Sequence, residues 1–168
     1  EQEVADGRLE MRSGSWQWTG EPIMPHNLVE LIESRIGALP AAVGGVIDAL
    51  AIGEPIELAA LRRMTDPEAV EDADVRGLIR LDNVGAGIEV RLAHPLYGEV
   101  HRNRAAPTRL RRLRALIAAE LAAADNRDDV RVVVHRATLA LDSDAPPDAD
   151  LLSRAANGAI CLADLPLA

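Results

Sequence analysis

The chain has 168 residues, 48% of them apolar, and a net charge of -9, enough for one ordinary globular core or two small ones. All 18 basic residues are arginine, so P-loop, Schiff-base and kinase-type lysine chemistry is excluded within these residues, and the acidic balance disfavours charge-driven binding of nucleic acid by the domain as a whole. No stretch approaches the roughly 20 apolar residues of a membrane span, and "EQEVADGRLE" has neither the basic nor the apolar region of a signal peptide, so a soluble, cytoplasmic chain with no membrane partner is expected.

Residues 1–39 read as the end of something larger. "LEMRSGSWQWTGEP" holds two short alternating runs around Ser13-Gly14, a hairpin with Trp16 and Trp18 on one face. "PHNLVELIESRIGALP" then places Leu28, Leu31, Ile32 and Ile36 at helical spacing, stopped by Gly37 and Pro40. A hairpin and one helix cannot bury both faces alone, so the piece is expected to dock on another unit.

Residues 40–103 have the order helix, helix, helix, hairpin. "AAVGGVIDALAIG" carries Val43, Val46, Ile47 and Leu50 on one stripe, and "IELAALRRM" is a short second helix after Pro55. In "TDPEAVEDADVRG", Asp66 is the N-cap, Pro67 the first helical residue and Gly77 the stop. "LIRLDNVGAGIEVRL" follows as two strands around a glycine-containing turn, with Ile88, Val90 and Leu92 on one side and Glu89 and Arg91 on the other. Three short helices and a hairpin outline a winged helix. A DNA-reading third helix would offer arginine, asparagine or serine to the major groove. This one offers Asp66, Glu68, Glu71, Asp72 and Asp74 against Arg76, which repels DNA.

Residues 104–168 read as helical throughout. Leu110, Leu113, Ile117 and Leu121 form one stripe, Val130, Val133, Val134, Ala137 and Leu141 a second, and Leu151, Leu152, Ala155, Ala159 and Leu162 a third. Such antiparallel helices begin a repeat array, and the break-off at "DLPLA" makes a fragment the expectation. Arg109, Arg111, Arg112 and Arg114 crowd the first turns of the first of these helices, where cations oppose the helix dipole. They are candidates for an interaction surface, or for intramolecular pairing with the acidic third helix.

The expected fold class is therefore mainly α with a small β-hairpin wing: a winged-helix domain followed by antiparallel helices of a TPR-like array. His26, His94, His101 and His135 show no metal-site spacing, and Cys161, the one cysteine, reads as a small hydrophobe. No metal, no cofactor in this chain and no catalytic residue are expected. His94 ends an alternating strand and precedes Pro95; it is a helix cap, a buried hydrogen-bonding residue or a ligand for an anion. Tyr97, the only tyrosine, is read as packing one turn into the helix that follows.

"HNLVELIESRIGALP", "LAIGEPIELAALRRM", "RLAHPLYGEV" and "LRRLRALIAAEL", in this order, resemble the region after the nucleotide-binding module of large ATP-binding LuxR-type transcriptional regulators of the STAND class. The resemblance runs from about Leu9 to Ala168. It implies a non-catalytic regulatory segment that couples nucleotide state to conformational switching: the end of the ATPase module in 1–39, a winged-helix regulatory domain in 40–103 and the start of the helical domain in 104–168. ATP or ADP would bind the full-length protein, itself a candidate ATPase. The implied partners are its own upstream ATPase domain, an inducer or protein on the helical region, and DNA only through a terminal domain outside this chain. His94 matches the histidine that reaches the β-phosphate of ADP in the closed state of related switch ATPases. Pro95 stands where many relatives have aspartate, so that residue's supporting role does not carry over. The alternatives are a free-standing winged-helix DNA-binding protein and a protein-interaction scaffold in which His94 has no ligand.

Overall fold

The computed structural model describes residues 9–12, 15–18, 32, 38–85, 87–124 and 126–162. Two compact units divide at Gly37. In the first, β1 (Leu9–Arg12) and β2 (Ser15–Trp18) pair antiparallel with Leu9 opposite Trp18 and Met11 opposite Trp16, the hairpin expected around Ser13-Gly14. The helix expected over 28–36 lies outside the described residues except for Ile32, which is helical and buried.

The second unit begins with α1 (Ala41–Gly53), whose stripe Val43, Val46, Ile47 and Leu50 is buried to 1% exposure or less. Around it lie a short strand β3 (Ile56–Glu57), α2 (Leu58–Met64), α3 (Pro67–Val75), and a hairpin of β4 (Ile79–Val84) and β5 (Gly87–Leu92). They are followed by α4 (Pro95–Arg104), α5 (Pro107–Ala123), α6 (Val130–Leu141) and α7 (Ala149–Cys161). The described residues are thus mainly helical, with a three-stranded antiparallel sheet of order β3-β5-β4.

Local chemistry sets most boundaries. Asp66 accepts from the Glu68 N–H at 3.0 Å with Pro67 behind it, as the sequence predicts for α3. The end of α3 is a Schellman turn: Gly77 takes φ +67° and donates to Asp74 O, while Leu78 donates to Ala73 O and is buried. In the hairpin, Gly85 supplies φ +58°. Ile79 opposes Leu92 and Leu81 opposes Val90, so the inner face is apolar, while Arg80, Asp82, Glu89 and Arg91 form an ion-pair ladder on the outer face.

One element departs from the sequence reading. Ile56 and Glu57, expected to open the second helix, instead form β3, with Ile56 opposite Val90. Two residues are too few to show an alternating pattern; the open edge of β5 recruits them.

The α6 and α7 helices share a cluster of their own, Val133, Val134, Ala137, Leu151, Ala155 and Ala159. Close approach is possible because a Cβ on Gly158 would stand 2.7 Å from Val130 Cγ2. The expected stripes shift at their ends, since Leu141 and Leu162 are exposed while Leu139 is buried.

Candidate functional site

β5 delivers its last inward residue, Leu92, into the core and then needs a place to turn. Two hydrogen bonds hold that end: the Leu92 N–H donates to Glu54 Oε2 at 2.7 Å, and the Ala93 N–H donates to Leu78 O at 2.9 Å. His94 follows in extended conformation (φ -144°, ψ 132°) as the N-cap of α4, with Pro95 in the first turn. Its Nδ1 accepts from the Leu96 N–H at 3.2 Å, so the neutral ring carries its proton on Nε2. The ring is exposed and lies 5.8 Å from the half-buried Tyr97 ring, tilted by 44°. Of the three sequence readings, the buried one is removed, and the cap is present.

The helix behind His94 is fixed tightly on α1. A Cβ on Gly98 would stand 2.7 Å from Leu92 Cδ1 and 3.4 Å from the Ala51 Cα, so α4 touches the α1 backbone there. The Arg102 guanidinium donates to Ala51 O in the last turn of α1, where carbonyls lack helical partners and a cation suits the dipole.

Asp48, 9% exposed in the middle of α1, then draws on both α4 and α5. His101 of α4 lies with Nδ1 2.7 Å from Asp48 Oδ1, and Arg109 of α5 lies with Nε 2.7 Å from Oδ2. A carboxylate only accepts, so His101 carries a proton on Nδ1. The Arg109 Nε–H is not aimed along its contact, which is an ion pair without hydrogen-bond geometry. The arginine also packs over Gly45, where a Cβ would be 3.3 Å from Nη2. Sequence reading missed Asp48. Its signal is a lone carboxylate inside the apolar run "VIDAL".

The structure separates the four crowded arginines. Arg109 goes to Asp48; Arg111 bridges to Asp144 Oδ1 at 2.8 Å and to Ser143 O at 2.7 Å in the α6–α7 connection. Arg112 is exposed and Arg114 half-buried. The α3 carboxylates do not serve as their partners: Glu71 pairs with Arg62 at 3.2 Å and Asp72 with Arg76 at 2.8 Å. The reason is sequence proximity, since Asp72 and Arg76 stand one turn apart on the same helix.

The remaining histidines fall elsewhere. His135, half-buried on α6, is held below the usual histidine range by burial, and His26 lies outside the described residues. Among the described residues no group of three His, Cys, Asp or Glu side chains could hold a metal ion, and no helix is long and apolar enough to cross a membrane. An open groove of about 510 Å³ runs between α5, α6 and the start of α7, lined by Ala118, Ala122, Ala140, Pro146 and Pro147, with Arg136 and Asp148 3.7 Å apart at its edge. Cys161 is free and exposed rather than buried, at the end of α7. Set against protein-family models, curated proteins and solved structures, the chain matches none of them.

Proposed function

We propose that this chain is a non-catalytic regulatory segment of an ATP-binding, LuxR-type switch protein of the STAND class, in which 40–103 is a winged-helix domain and 104–168 begins a TPR-like helical domain. The observation that carries the reading is His94. It stands exposed at the N-terminus of a ten-residue helix directly after the hairpin, with Nδ1 occupied by the cap and Nε2–H left to donate outward. At the positive end of a helix dipole, such an outward ring N–H suits a phosphate oxygen. Helix, strand, helix, helix and hairpin in the order α1, β3, α2, α3, β4, β5 suit the winged-helix assignment.

The alternative of a free-standing DNA reader is weakened by α3. Glu68, Glu71 and Asp74 are exposed there, and the nearby Arg62 and Arg76 are tied to Glu71 and Asp72. A gel shift with this chain at low salt should show no retarded duplex.

The test is made on a chain extended upstream through a nucleotide-binding domain. Asp and Ala replacements of His94 part the two roles, because aspartate is a strong N-cap but repels a phosphate. In the extended chain both His94→Ala and His94→Asp should weaken ADP retention by roughly 10-fold to 100-fold, the loss of one charge-assisted hydrogen bond. Wild-type retention by either variant would end the sensor reading.

A further inference from the structure

We propose that α5 is a releasable strap, held against α1 and α2 by an ion pair at each end, and that opening it lets the α6–α7 pair swing away from the hairpin-bearing body. The inference does not depend on the nucleotide reading.

One stripe of α5 faces this seam. Arg109, Leu113, Ile117 and Glu120 recur at intervals of four, four and three residues, the spacing of a single helix face. Its centre is apolar: Ile117 presses on Gly53, where a Cβ would stand 2.7 Å from Cδ1 and 2.9 Å from Cγ2, and Leu113 is buried on the same stripe. Its ends are charged with opposite sign. Arg109 meets Asp48 of α1 at 2.7 Å, and Glu120 takes two bonds from Arg63 of α2, at 3.0 Å and 2.6 Å. The guanidinium of Arg63 is held above the usual arginine range chiefly by this hydrogen bond.

Two consequences follow from that arrangement. Reversing α5 would bring Arg109 to Arg63 and Glu120 to Asp48, so the charges allow one direction only. Of the two ionic contacts, the one at Arg63, whose side chain is 57% exposed, is open to salt, whereas Arg109 Nε and Asp48 are buried and are screened less. Beyond the seam, the α6–α7 pair has a hydrophobic cluster to which no residue of α1 to α5 contributes. It can move as a unit. Arg111, on another face of α5, ties the strap to that pair through Asp144 and Ser143, so α5 would carry α6 and α7 with it.

The experiment uses the whole chain with spin labels on the native Cys161 of α7 and on Val75→Cys at the end of α3, a position that is 86% exposed. Electron–electron distance measurement should give one narrow distribution at low salt. Glu120→Gln, alone and combined with Asp48→Asn, should add a longer and broader population that grows further in 0.5 M salt (about a 4 Å screening length). If Asp48→Asn fails to fold by circular dichroism, Glu120→Gln alone decides. A single unchanged distance in folded Glu120→Gln at both salt concentrations would overturn the proposal.

Discussion

Replacing His94 separates what the ring does for α4 from what it does for any ligand, and the size of the first effect can be worked out from this chain alone. Among the described residues, His94 is one of four whose side chain caps a helix start. The three aspartates, Asp66, Asp129 and Asp148, accept at 3.0, 2.8 and 3.0 Å, whereas His94 accepts at 3.2 Å and is exposed. A cap-to-alanine change costs about 0.5 to 2 kcal/mol. The longer, solvated bond places His94→Ala at the low end, about 0.5 to 1 kcal/mol. With a urea slope of roughly 1 to 3 kcal/mol per molar, the unfolding midpoint should fall by a few tenths of a molar. His94→Asp should restore it, since a carboxylate both caps and complements the positive end of α4, an effect of about 0.3 to 1 kcal/mol. Urea unfolding followed by far-ultraviolet circular dichroism measures all three proteins. A loss above about 2 kcal/mol for alanine, or no recovery with aspartate, would refute the assignment of His94 as an exposed cap and give its ring a packing role.

Asp48→Ala removes the hydrogen-bond acceptor of His101 and the ion-pair partner of Arg109 and should cost about 2 to 3 kcal/mol, discounted from fully buried pairs because Arg109 is part-exposed; Asp48→Asn, whose amide oxygen still accepts from His101, should lose less, and equal losses in urea titrations would show that the charge is irrelevant. Gly44→Ala, with nothing within 4 Å of its Cβ, should stabilise α1 by up to about 1 kcal/mol, while Gly98→Ala should destabilise by about 0 to 2 kcal/mol because overpacking against Leu92 and Ala51 exceeds the helix-propensity gain. Opposite shifts in melting temperature test that pair. Burial lowers the proton affinity of His135 in the fold, so the unfolded chain is protonated first; stability is fully present above the ordinary histidine range near pKa about 6.5 and is lost as pH falls through it. Melting curves from pH 7.5 to 5.5 should show this decline, and His135→Gln should flatten it.

What could be read without coordinates was the chemistry that acts over a few residues. The α1 stripe, the Asp66-Pro67 start and Gly77 stop of α3, the glycine turn between β4 and β5, and the His94-Pro95 junction are each legible because caps, turns and periodicity are written in neighbouring positions. The helices α5, α6 and α7 were likewise readable, but the ends of their stripes were not, since a helix turns its face only as far as its neighbour requires. Strand β3 could not be seen in two residues, because the edge of β5 makes it a strand. The arginines show the same limit. Their crowding at the start of α5 breaks a local rule, and the partners that compensate it stand 61 positions away at Asp48 and 33 away at Asp144. Sequence order carries the sign of those charges, but only the packing of α5 against α1 and of the α6–α7 connection against α5 decides which carboxylate meets which arginine, because an ion pair depends on a distance through space.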